Sequence, residues 1–381
     1  MENLSSYSNN DSKLRWLLVL VAMLSTFMYT AKLMISPVYI VGLTISVICI
    51  CRIILSGTIY CANLTHTALA FLFYALFFIS WMADYSALIN LFLMVFIYIV
   101  VLSEGSKLTL PALIRIARIY IFFAMLIIAL DSIVRLLNPG VPVGAEYTLE
   151  DLSSGYKWFY AYKYNTVMFD DSNSVALILL PITLLAYQIY KDQNRIHWVF
   201  SLLGIILILS CFSRSGAISI FIGVSLFYFR KKFLLLIVPI LLMSILYVLY
   251  SLLSNDGGLA ARLHVVELML SFFSNADFIR IMFGVGLGNA TSVLGFTPHI
   301  LIIEYLIGSG ILGTLAFLMF LSFSFIKLTY RAKCVLLVSL VASMSYYLYG
   351  GAPFLLAPVA LSHLIDKKWK EYNRNENINA G

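Results

Sequence analysis

Runs of about 20 apolar residues, separated by short polar breaks, recur along this chain and constrain its fold more than any other feature. Residues 86–103, SALINLFLMVFIYIVVLS, are one such run, without a single charged side chain. Of 381 residues, 62% are hydrophobic and 11% are charged, against roughly 25% charged in a soluble domain. In hydrocarbon every backbone N–H and C=O must find its partner within the protein. The expected fold class is therefore all-α, a polytopic integral membrane helical bundle. The five cysteines, Cys49, Cys51, Cys61, Cys211 and Cys334, lie in these runs or at their edges, which points to neither a structural disulfide nor a metal cluster.

Hydropathy places spans at 14–31, 36–55, 67–83, 86–103, 117–134, 173–190, 196–212, 215–229, 233–253, 299–326, 334–349 and 354–365, about twelve in all. No small-residue cleavage site follows the first run, so it is read as a retained span and not a signal peptide. With the N-terminus inside, most of the 25 basic residues fall on the inner side, among them Arg15, Arg52, Lys107, Lys191, Lys327 and Lys370. Both termini are then cytoplasmic. The net charge of +7 is thus a topology signal and not a nucleic-acid footprint. Residues 1–366 form a single membrane domain and 367–381 a short cytoplasmic tail, its Asn-rich part after Lys370 expected to be disordered. Two outer segments, 135–172 and 254–298, are too long to be simple turns, and long loops in compact proteins carry function.

In the second outer segment, residues 259–274 have helical periodicity. His264, Glu267, Ser271 and Ser274 share a polar side; Val265, Val266, Met269, Leu270 and Phe273 share the other, with Arg262 in the middle of that apolar side. A guanidinium there needs an anion: a phosphate held bidentately, a lipid headgroup or an acidic side chain. Phe283 to Asn289, FGVGLGN, could bring amides to a ligand, but lacks the strand and lysine of a phosphate loop and reads as a turn. His299 follows Pro298 at the mouth of span ten, either as a proton acceptor or as an interfacial histidine. Glu304 lies inside that span and is expected to face the bundle interior, paired or protonated; Gly308, Gly310 and Gly313 make the span pliable or tightly packed.

Elsewhere, Arg214 in CFSRSG sits in the turn between spans seven and eight, facing headgroups or a cavity. In the first outer segment GYKWFYAYKY (155–164) interleaves aromatics with lysines, a sugar-stacking platform or a segment lying in the headgroup layer. Asp170, Asp171 and Asn173 open span six, where capping accounts for the aspartates. Asp131 and Arg135, four residues apart, are expected to pair with each other.

Taken in order, Ser213-Arg214, Arg262, Gly284 to Gly288, His299 and Gly310 to Gly313 resemble the pattern of the O-antigen polymerase and O-antigen ligase family over about the last two-thirds of the chain. The family histidine is often followed by Asn; here Ile300 follows. The resemblance implies a bundle of about twelve spans similar to membrane-type (GT-C-like) glycosyltransferases, in the bacterial inner membrane, with two large periplasmic loops. It implies an inverting, metal-independent glycosyltransferase that needs no cofactor and takes an undecaprenyl-diphosphate-linked glycan as donor. Arg214 and Arg262 would hold the diphosphate, His299 would orient or deprotonate the acceptor hydroxyl, and Arg280, Asn173 and Glu304 would contact substrate. Polymerase is preferred, because the aromatic-rich loop suits one particular repeat unit; ligase is the alternative. The implied partners are the lipid bilayer, a chain-length regulator and a flippase, with no nucleic acid. A polysaccharide-unit flippase or other transporter is the reading from a different class, for which Asp131, Glu304 and the Gly-Gly-Ala-Pro break at 350–353 are the candidate features.

Overall fold

Helices make up all the regular structure among the described residues. The computed structural model describes residues 2–30, 33, 35–56, 62–141, 161–169, 171–193, 197–228, 257–295, 298, 300–343 and 352–379. In chain order the helices are α1 (Glu2–Ser25), α2 (Pro37–Ser56), α3 (Ala62–Phe78), α4 (Tyr85–Gly105), α5 (Leu110–Leu137), α6 (Ser172–Gln193), α7 (His197–Ser210), α8 (Arg214–Tyr228), α9 (Gly257–Asn275), α10 (Phe278–Phe283), α11 (Ala290–Leu294), α12 (Leu301–Gly308), α13 (Gly310–Lys327), α14 (Tyr330–Ser343) and α15 (Ala352–Asn379). Among them four stretches are long and apolar enough to cross a membrane: Tyr85–Gly105, Leu110–Leu137, Ser172–Lys191 and Gly310–Lys327. Shorter apolar helices cover Pro37–Arg52, Asn63–Phe78, Trp198–Ser210 and Arg214–Phe227. The expected span at 233–253 lies outside the described residues.

Two helices form the centre. The apolar windows of α4 and α6 are 72% and 89% buried, against 44% for α13, so α13 lies at the periphery. Around α4 pack α1, α2, α3 and α15; around α6 pack α5, α7, α8, α14 and α15. Helix α15 touches both and joins the two halves, partly through a buried pair in which the Ser362 hydroxyl donates to Gln188 Oε1 at 2.5 Å.

The ends of the bundle differ in chemistry. At one end Arg15 bridges Asp11 (2.5 Å) and Glu104 (2.9 Å), while Arg52 reaches Asp11 at 2.7 Å, tying α1, α2 and α4 together. The Glu104 side chain is almost wholly buried there, and a carboxylate so placed requires such partners. The opposite end carries the start of α4, where Asp84 accepts from the amides of Ser86 and Ala87, a cap worth about 1 kcal/mol. It also carries the C-terminal end of α5 and residues 161–169, to which Thr30 donates at the carbonyl of Val167 (2.9 Å).

Three expectations are corrected. Span ten is not one helix: α12 ends at Gly308 and α13 begins at Gly310, whose φ of +64° is in the left-handed region and breaks the run. A Cβ on Gly310 would stand 2.4 Å from the carbonyl oxygen of Met282, so the break is also where the end of α10 passes. The tail after Lys370 is helical to Asn379, continuing α15 with Lys370 paired to Asp366 at 3.0 Å and Lys368 to Glu371 at 3.6 Å. Asp131 and Arg135 do not pair with each other. Asp131 accepts from the amide of Val167 at 2.5 Å, and Arg135 donates to the carbonyls of Tyr162 and Ser210.

Candidate functional site

Candidate residues gather in two groups at the end of the bundle away from Glu104. The first is built where α5, α6 and the turn into α8 meet. Arg135 is fully buried and holds the stretch 161–169 through Tyr162 while gripping the end of α7 through Ser210. Ser172 donates its hydroxyl to the carbonyl of Cys211 (2.7 Å) and its amide to that of Lys163 (2.9 Å). The turn before α8 forces Phe212 to a φ of +51°, a conformation disfavoured for a bulky residue. Arg214 follows as the first residue of α8 and is exposed. Gly216 allows α8 to close on α6, since a Cβ there would stand 3.0 Å from that of Ala176.

Inside this frame Lys163 is buried, with Asp171, Arg214 and Arg135 close enough to act on its charge. Burial pushes the ammonium below the usual lysine range; the Asp171 carboxylate opposes that shift and the Arg214 guanidinium adds to it. Asn173 lies in the first turn of α6, half-buried, its amide donating to Asp171 at 2.5 Å. Lys163 was not singled out from sequence. The only signal was a lysine in an aromatic run, and burial depends on where the rest of the chain folds over it.

The second group surrounds the break between α12 and α13. The amides of Val285 and Gly286 donate to the carbonyls of Ile307 and Gly308 (2.9 and 2.8 Å), which closes the end of α12. Gly288 donates to Glu304 at 3.2 Å. These three amides are engaged within the protein, in line with the reading of FGVGLGN as a turn. The loop is also stitched to the start of α4: Asp84 donates its amide to the carbonyl of Leu287 (2.8 Å), and Asn289 donates to that of Met82 (2.8 Å). Glu304 is buried as expected, and its Oε2 has no hydrogen-bond partner among the described residues.

Arg280 lies at the edge of the second group, its carbonyl accepting from the amide of Gly284 at 2.8 Å. Asp277 caps α10 by accepting from the backbone amide of Arg280 (2.8 Å), whose exposed guanidinium lies 3.8 Å from the same carboxylate. Arg262 is placed by backbone in the first half of α9; its side chain and the whole of His299 lie outside the described residues. An apolar cavity separates the two groups, lined by Leu177 of α6, Leu301 and Tyr305 of α12, Phe317 of α13 and Leu336 of α14. Leu177 is one helical turn from Asn173, so the helix that carries this candidate walls the space together with α12. Among the described residues no three His, Cys, Asp or Glu side chains converge as a metal cage. Neither protein-family models nor curated proteins give a match to this chain.

Proposed function

We propose that this protein is an O-antigen polymerase of the bacterial inner membrane, a bundle of about twelve spans similar to membrane-type (GT-C-like) glycosyltransferases, with both termini cytoplasmic. It joins undecaprenyl-diphosphate-linked repeat units at the periplasmic face. The observation that carries this reading is the cationic group of Arg214 and buried Lys163, set at the end of α6 whose next turn walls the apolar cavity. A diphosphate joined to a long isoprenoid needs that combination, positive charge at the membrane surface and apolar space below it. The ordered motif set from Ser213 to Gly313 supports it independently.

In the reaction, the acceptor sugar's hydroxyl oxygen bonds to the anomeric carbon of the donor glycan, with inversion. The bond from that carbon to the diphosphate oxygen breaks. Undecaprenyl diphosphate leaves with the electron pair, and the hydroxyl proton passes to His299. Negative charge grows on the departing diphosphate, and Arg214 and Arg262 neutralise it where a divalent ion does so in other transferases. Asn173 holds substrate at the rim. Arg280, engaged with Asp277, is a weaker contact.

The test is the lipopolysaccharide banding of a deletion strain with plasmid complementation. Core carrying a single repeat unit supports polymerase, whereas bare core with lipid-linked polymer left in the inner membrane means ligase. Replacing Arg214 or Arg262 by Ala should lower polymer synthesis about 100-fold at normal protein levels. Full synthesis by both Arg→Lys variants would remove the clamp, and full synthesis by His299→Ala would remove the base. A transporter is favoured by one observation, the helix break at Ser309 beside buried Glu304, because broken helices and buried carboxylates mark transport sites. An unchanged ladder would bring it forward.

A further inference from the structure

Helix α9 has three sides where an ordinary surface helix has two. Val265, Leu268, Met269 and Phe272 pack onto the small core formed with Ala290, Leu294, Ile303 and Ile307. His264, Glu267 and Ser271 face water, with His264 and Glu267 3.6 Å apart. Between these sides runs an apolar edge that nothing covers among the described residues: Leu263, Val266 and Leu270, the last 60% exposed. The spacing i, i+3, i+7 makes it a continuous stripe. Two residues after α9, short α10 exposes two more large apolar side chains, Phe278 and Ile279, at 74% and 57%.

Helix α10 leads into surface that has the character of a lipid boundary. Helix α10 packs on α13, and Phe283 at its end stacks against Phe78 (6.1 Å) and approaches Trp81 (6.2 Å) at the end of apolar α3. Around that corner Phe73, Leu76, Phe77, Trp81, Met82 and Tyr85 are all exposed. Tryptophan and tyrosine at the end of apolar helices mark the headgroup level. A helix with charges on one face and bulky apolar residues on another lies in that layer and sinks its apolar side to the acyl-chain boundary.

We propose that α9 and α10 form a membrane-surface element whose edge, Leu263, Val266, Leu270, Phe278 and Ile279, is immersed in the lipid bilayer at the outer leaflet. The partner is the boundary between headgroups and acyl chains. By helical register Arg262 falls between the packed side and the immersed edge, which brings its backbone to the depth of lipid phosphates. This last point rests on the glycosyltransferase reading, since it sets one half of the diphosphate clamp at the level where a membrane-borne donor carries its phosphates. The immersion itself does not depend on that reading.

The test uses full-length protein carrying a fluorescent coumarin amino acid at one position at a time, 270 or 279 on the edge, 264 or 271 on the polar side. Each variant is reconstituted in phosphatidylethanolamine–phosphatidylglycerol nanodiscs whose acyl chains are brominated close to the headgroup, and its fold is checked by gel filtration. Positions 270 and 279 should be quenched by bromolipid several-fold more than 264 and 271, and iodide in the buffer should show the reverse order. Bromolipid quenching no stronger at 270 and 279 than at 264 overturns the proposal. With iodide quenching at all four positions the edge faces water; with shielding of 270 and 279 from both quenchers a protein segment covers it, and either result overturns the proposal as well. Fluorescence here reports depth whether or not the protein makes polymer, so this proposal and the polymerase reading fail separately.

Discussion

Lys163 and Arg135 show what burial does to a basic side chain that local sequence presents as ordinary. Arg135 is completely enclosed and its two terminal guanidinium nitrogens donate to two backbone carbonyls, which makes an apparent i,i+4 ion pair into a clip between α7 and residues 161–169. Lys163 is enclosed among charges of both signs, and its lowered pKa means that the folded state disfavours the ammonium relative to the unfolded chain. That penalty is fully present below the folded-state value and fades as pH rises through it toward the ordinary lysine value. Lys163→Met should therefore raise the melting temperature near neutral pH, with a gain that shrinks in alkaline buffer, while lowering polymer synthesis. Thermal unfolding in detergent across pH, beside the lipopolysaccharide ladder, checks both parts. A melting temperature unchanged at neutral pH would show that the buried charge is fully compensated.

At the scale of elements, the FGVGLGN loop and the α12–α13 break form one joint. Gly284 and Gly286 have φ of +77° and +102°, and a Cβ on either would stand 2.3 Å from the carbonyl oxygen of Gly308 or 1.9 Å from that of Met82. Both obstacles are backbone and cannot swing aside. Gly295 also has positive φ, +78°, but a Cβ there meets nothing within 4 Å. Gly295→Ala should then cost about 1 kcal/mol, the backbone strain alone, whereas Gly284→Ala and Gly286→Ala should each cost at least twice that, about 2–4 kcal/mol. Thermal unfolding of the three purified variants gives the ranking, and equal losses would show that the loop relaxes. The glycine spacing alone could not distinguish amides offered to a ligand from amides closing a helix, because it records permitted φ and not the partner.

For the whole molecule, the charged network of Asp11, Arg15, Arg52 and Glu104 holds three helices at one end. Glu104→Ala leaves two guanidiniums short of a partner and should destabilise the protein by about 3 kcal/mol, read as a lower melting temperature in detergent. A smaller loss, near that of an exposed pair, would mean that water enters this end. Arg15 and Arg52, placed on the same side by the charge count, do meet around Glu104. The chain's own sequence determined the helical class, the bounds of α2, α4, α6, α7 and α8 to within about three residues, the helix at 257–275 and the burial of Glu304, since hydropathy and local periodicity act along the chain and survive any arrangement of its parts. Only the tertiary structure decided that Arg135 grips carbonyls, that Lys163 is enclosed beside Arg214, that span ten breaks at Ser309, and that α9 leaves an apolar edge uncovered. Each of those depends on which backbone passes within a few ångströms of a side chain from a distant part of the chain, and no local pattern encodes that distance.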